Sequence, residues 1–152
     1  MRTLFVILLV GVFFALCAPF QEPRAQEAVA EAVRFEAVDI YVDSGDRPLA
    51  AYQFELTAKK GKIAIVGIEG GDHPAFKEPP YYDPAALQND RIIIAAFSTR
   101  PDLPKNRIRV ARIHVEVTGE VEPEYVVTLT VAASAQGERI PATATVSRGA
   151  EE

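Results

Sequence analysis

The chain changes its pattern of apolar and polar positions twice. Met1, Arg2 and Thr3 lead into an unbroken apolar run from Leu4 to Ala18, and residues 21–31 are rich in Gln, Glu, Ala and Pro with no apolar face. From Phe35 onward apolar residues recur at every second position, the period of a strand with one face on a core and the other in water. Val38, Ile40 and Val42 share one phase, Asp39, Tyr41 and Asp43 the other, and Ser44, Gly45, Asp46 and Pro48 have the composition of a turn. Tyr52, Phe54 and Leu56 then alternate with Gln53, Glu55 and Thr57 until Lys59, Lys60 and Gly61. Ile63 to Ile68 reads as a nearly continuous apolar strand stopped by Gly70 and Gly71.

Regular alternation lapses between Asp72 and Asp90, a loop holding Pro74, Pro79, Pro80 and Pro84. Asp83 there predicts a cap on one helical turn over 84–87, because proline suits the first helical position. Ile92 to Phe97 is apolar throughout and predicts a strand covered on both faces or lying at the centre of a sandwich. Pro101 and Pro104 break the chain after it. Ile108 and Val110 share a phase, but Ile113, Val115 and Val117 are in phase with Ala111, so a β-bulge is predicted between Val110 and Ala111. Tyr125, Val127, Leu129 and Val131 make a further strand, Ala135 to Glu138 a hairpin turn, and Ile140 to Val146 the last strand.

Seven or so strands, no helix of ten residues and no fixed repeat predict an all-β fold: one antiparallel β-sandwich of Greek-key or jelly-roll type. The sandwich is expected over residues 35–147, after a signal peptide and the start of a tether in 1–25 and a linker in 26–34. Residues 148–152 are expected as an acidic tail.

Composition narrows the function. At 49% hydrophobic and 24% charged the chain has enough apolar surface for a core, which excludes general disorder. A formal net charge of −5 provides no broad positive face for phosphates, so a nucleic-acid partner is not expected. Arg2 and the run after it have the charge and length of a secretory leader, and the run is shorter than the ~20 residues of a membrane span. The expected location is secreted, periplasmic or at the cell surface. Ala15 and Cys17 occupy the small-residue positions for cleavage before Ala18, and Leu16 stands where a lipobox has a small residue. Membrane attachment is therefore expected only through an uncleaved leader or a lipidated Cys17. Cys17 is the single cysteine, so without it the fold has no disulfide and depends on packing.

No nucleophile elbow, phosphate loop or paired-carboxylate frame is present, and His73 and His114 lie far apart without a thiol or carboxylate motif beside either. The expectation is a non-enzyme with no catalytic residues and no cofactor. Asp43, Asp46, Asp72, Asp83 and Asp90 are hard oxygen ligands that could take calcium, but no EF-hand spacing links them, and turn aspartates ordinarily bond local amides. Arg107, Arg109, Arg112 and His114 read either as a basic stripe for an acidic partner or as a solvated strand face. The candidate binding residues are Phe76, Pro79, Pro80, Tyr81 and Tyr82, where prolines present rings at low entropy cost. The competing reading has these side chains folded back over a sheet edge as a lid.

Three segments carry a family resemblance: the turn from Asp43 to Pro48, the strand Ala50 to Leu56, and Arg91 to Ser98 followed by Ile113 to Gly119. On them the chain resembles the cohesin and carbohydrate-binding-module superfamily of β-sandwiches over most of residues 35–146. The pattern departs at Lys59 to Lys62 and in the loop from His73 to Asp90. The resemblance implies a module that binds a protein partner or a polysaccharide. It also implies the receptor half of a cohesin pair, since no duplicated calcium-loop segment of the dockerin type is found. A structural subunit of a surface or periplasmic assembly, pairing through an exposed strand edge, is the remaining alternative.

Overall fold

The computed structural model describes residues 31–149. The expected leader and tether, Cys17 and the last three residues of the tail lie outside the described residues. Eight strands follow in order: β1 (Val33–Asp43), β2 (Ala51–Lys60), β3 (Lys62–Gly70), β4 (Tyr81–Tyr82), β5 (Arg91–Phe97), β6 (Arg107–Thr118), β7 (Glu124–Ala133) and β8 (Thr143–Arg148). They form two four-stranded sheets, ordered β3-β6-β1-β8 and β4-β5-β2-β7, with every pair antiparallel. The architecture is the expected antiparallel β-sandwich.

Alternating side chains fill the space between the sheets. Val38, Ile40, Val42, Ile65, Val110, Ala111, Ile113, Val115 and Val117 come from one sheet, and Tyr52, Phe54, Leu56, Ile92 and Ile94 from the other, all buried. Only β4 and β5 are consecutive strands within one sheet, so the other links all cross the sandwich. The tightest crossing is Gly61, the one residue between β2 and β3. Its φ of +77° suits glycine, and a Cβ there would lie 2.9 Å from the Cα of Pro123.

The predicted bulge is present. Ile40 pairs with Ala111 and Tyr41 with Arg109, leaving Val110 as the extra residue of β6. The bulge turns both Val110 and Ala111 into the core, and the Tyr52 hydroxyl reaches across the sandwich to donate to the Val110 carbonyl at 3.0 Å. Asp83 also caps as predicted: its Oδ1 accepts from the Ala85 amide at the start of a 3-10 turn, Pro84–Ala86.

Four expectations shift. The first strand starts at Val33, so residues 33 and 34 belong to the sheet rather than the linker, and Arg34 donates to the Gly119 carbonyl and to Glu122. The run Ile92 to Phe97 is covered on one face only, because a two-layer sandwich leaves the outer face of each sheet bare. The last strand starts at Thr143, three residues late. Ile140 still bonds the Ala132 carbonyl of β7, Pro141 has no N–H to extend that ladder, and the chain then passes to β1 in the other sheet. The expected tail is tied down at its start: Arg148 closes β8 and the Gly149 amide donates to the Ala37 carbonyl.

Candidate functional site

The five candidate residues lie in the segment between β3 and β5, and the fold separates them. Phe76 ends a 3-10 turn, Pro74–Phe76, and is only 3% exposed, packed edge-on against Tyr52 with ring centroids 5.1 Å apart. It acts as an anchor of the loop in the core rather than as a ring presented to solvent. Pro80 is buried, Pro79 is exposed, and neither has an N–H with which to pair β5. β4 is therefore limited to two residues, Tyr81 opposite Ala95 and Tyr82 opposite Ile94, with Pro84 closing its other end. Strand alternation turns Tyr82 inward against the core and Tyr81 outward, where it is 69% exposed. Part of the loop thus covers the edge of β5, as the lid reading expects, and Tyr81 remains on the surface.

Tyr81 has a partner outside the candidate set. On the outer face of β5 the alternation exposes Ile93 and Phe97, 44% and 64%, with the small Ala95 between them. The rings of Tyr81 and Phe97 stack nearly parallel, at 8° with centroids 6.0 Å apart, and both remain largely in solvent. The signal for Phe97 was its odd phase with Ile93, concealed because every residue of that run is apolar.

Polar pairs border this apolar strip on the β2 side. Glu55, opposite Ile93, is bound by Arg91 at 2.6 Å, and Gln53, opposite Ala95, donates to Thr130 of β7 at 3.1 Å. The Arg91 guanidinium, donating to Glu55 and attracting it, holds that carboxyl below its ordinary value. Two clefts flank Phe97 at this end of the sandwich. One of about 300 Å³ lies between Phe97 and the Ala75, Pro79, Pro80 and Tyr81 wall, and another of about 340 Å³ runs toward Ala51 and Ala133. Arg100 lines both.

The opposite outer face is polar and internally compensated around Asp39, with Val33 and Phe35 exposed toward the start of β1. Arg112 donates to both Asp39 oxygens at 2.8 and 3.1 Å, while Arg109 bridges Asp39 and Asp72. Asp39 is only 5% exposed there. Burial pushes its carboxyl up, but the bonds and charges of Arg112 and Arg109 outweigh that and hold it below the usual value. Arg107 lies 3.6 Å over the Tyr41 ring, and His114 contacts Glu69 at 2.8 Å. The stripe of Arg107, Arg109, Arg112 and His114 is thus a satisfied strand face.

Of the turn aspartates, Asp43 is committed to the Gly45 amide, Asp83 to the Ala85 amide and Asp72 to Arg109. Among the described residues no group of three or more His, Cys, Asp or Glu side chains could hold a metal ion. No described helix is long and apolar enough to cross a membrane. Comparison of the chain with protein-family models, with curated proteins and with solved structures finds no match.

Proposed function

We propose that this chain is an exported, non-catalytic binding module of cohesin-like type that takes a protein partner on the outer face of the β4-β5-β2-β7 sheet. The observation that carries the reading is the stacked Tyr81–Phe97 pair, two large rings left in solvent beside Ile93 on one sheet face. Exposed apolar surface rimmed by polar pairs is characteristic of protein interaction sites, and aromatic residues dominate their binding energy. Arg91–Glu55 and Gln53–Thr130 supply such a rim, and the clefts beside Phe97 offer room for a partner's side chains. The antiparallel sandwich is compatible with the cohesin-like resemblance, and the N-terminal apolar run with export.

A second reading, a carbohydrate-binding module, is favoured by the near-parallel geometry of the two rings, since sugar rings stack on flat aromatic surfaces. One set of variants separates the two. Capture of a protein partner by the wild-type chain, weakened ~30-fold or more in Phe97→Ala and Tyr81→Ala, is the expected result. Both changes are at exposed positions and should leave the melting temperature nearly unchanged. A partner bound equally by wild type and variants would overturn the placement of the site. A blank protein screen with glycan binding lost in the same variants would select the second reading.

A further inference from the structure

His73 and His114 are the two histidines of the chain, and His73 stands at the base of the loop that carries Tyr81. Its ring caps the 3-10 turn Pro74–Phe76: Nδ1 accepts from the Ala75 amide at 3.2 Å, and its own backbone is extended, as a capping residue's usually is. That bond needs a free lone pair on Nδ1, so it forms on the neutral imidazole whose proton sits on Nε2. Nε2 lies 4.0 Å from the Asp102 carboxylate in the segment between β5 and β6.

A second proton must go to Nδ1. It sets one N–H against another and replaces the cap by a repulsion, while the new charge draws the ring toward Asp102. The repulsion moves the ring away from Ala75, and the attraction to Asp102 offers it a second partner. The other charged groups on the elements around His73 are Asp72, Lys77 and Glu78 in the loop, Glu69 of β3, Arg109 of β6, and Arg100 beside Asp102 in the segment between β5 and β6. Arg109 is bound to Asp72 and Asp39, and Glu69 to His114, which leaves Asp102 as the carboxylate at ion-pair distance from the ring.

The cap is coupled to the binding face by position. Ala75, whose amide it holds, lines the same cleft as Pro79, Pro80, Tyr81 and Phe97. Phe76 is buried, its carbonyl accepts from the Gly71 amide and its amide donates to the His73 carbonyl, so the foot of the loop stays fixed and the ring's cap bears on Ala75 at the cleft wall.

We propose that His73 is a proton-sensitive latch on this face: neutral, it holds the Ala75 side of the cleft through the bond to Nδ1, and protonated, it lets go. The regulatory meaning rests on the reading of the Tyr81 and Phe97 surface as the binding site. Acidification would then loosen the cleft wall and weaken partner binding.

Amide hydrogen exchange of the full chain at pH 7.5 and pH 5.0, corrected for intrinsic rates, tests the latch without any partner. Protection of the Ala75 amide should fall about fivefold at the lower pH, the size of one lost side-chain cap. His73→Asn keeps an acceptor with nothing to titrate and should stay protected at both values, whereas His73→Ala should be weakly protected at both. His114→Asn should show the wild-type fall. Constant protection in the wild type, or a fall that persists in His73→Asn, would overturn the latch. If the latch titrates as expected but Tyr81→Ala and Phe97→Ala bind like wild type, the binding-face reading fails and the latch stands.

Discussion

Replacing Tyr52 by Phe removes one hydroxyl and leaves the shape of the core unchanged. The ring is buried, stacked beside Phe54 at 5.8 Å and edge-on to Phe76, and the variant keeps all of that packing. What it loses is the bond from the hydroxyl to the Val110 carbonyl at the bulge of β6. A buried acceptor deprived of its donor costs ~1–2 kcal/mol, and in a domain of this size each kcal/mol lowers the melting temperature by roughly 4 °C. Urea titration should show a lower midpoint with an unchanged slope, since the surface exposed on unfolding is the same. The pH dependence is a sharper check. Burial pushes the Tyr52 phenol well above its ordinary value near 10, so its contribution to stability is complete below pH 10 and is lost as the pH rises above it. At pH 11 ionisation of an unshielded tyrosine favours the unfolded wild type by ~1.4 kcal/mol, a term the variant lacks. The gap between wild type and Tyr52→Phe should therefore shrink toward zero between pH 8 and pH 11. A difference below ~0.5 kcal/mol at pH 8, or a gap that does not change with pH, would refute the assignment of this bond as the link between the bulge and the opposite sheet.

Two further perturbations test other joints of the fold. Gly61→Ala introduces a left-handed non-glycine residue and a Cβ at 2.9 Å from Pro123, and should lose ~2–3 kcal/mol, against ~1 kcal/mol for Gly137→Ala, where φ is +78° but nothing lies within 4 Å. Equal urea midpoints for the two would show that contact with Pro123 contributes nothing. Asp39→Asn leaves Arg109 and Arg112 largely buried without their shared anion and should lose ~3 kcal/mol at pH 7. Because the folded Asp39 carboxyl is held below its ordinary value, its stabilisation is present above pH ~4 and fades as the pH falls through the folded value. The gap to wild type should accordingly narrow at pH 3, and a constant gap in denaturation curves would contradict that ion-pair account.

Sequence periodicity reports most where both phases carry contrasting residues. Tyr52, Phe54 and Leu56 against Gln53, Glu55 and Thr57 place a strand and its inner face correctly, and the phase slip at Val110 and Ala111 locates a bulge to the residue. Ile92 to Phe97 carries no such contrast: with every position apolar, nothing in the run itself tells Ile94 from Phe97, and the exposed half of the aromatic pair stays hidden. Phe76 and Tyr81 sit between prolines in a segment without a period, so the direction of the Tyr81 ring depends on the pairing of β4 with β5 and that of Phe76 on its packing against Tyr52, both tertiary facts. The delayed start of β8 is similar, since Pro141 was visible but the switch of sheets it accompanies was not.

The place of β1 between β6 and β8 has a consequence for assembly of the molecule. The first of the described strands is central to its sheet, yet its two neighbours follow it much later in sequence, β6 from Arg107 and β8 from Thr143. A chain growing from its N-terminus therefore holds β1 with both edges bare while most of the polypeptide is completed, and loop closure over that distance slows folding. Any truncation before Thr143 leaves the residues from Val38 to Asp43 with an open edge, the kind of template on which such chains stick to one another.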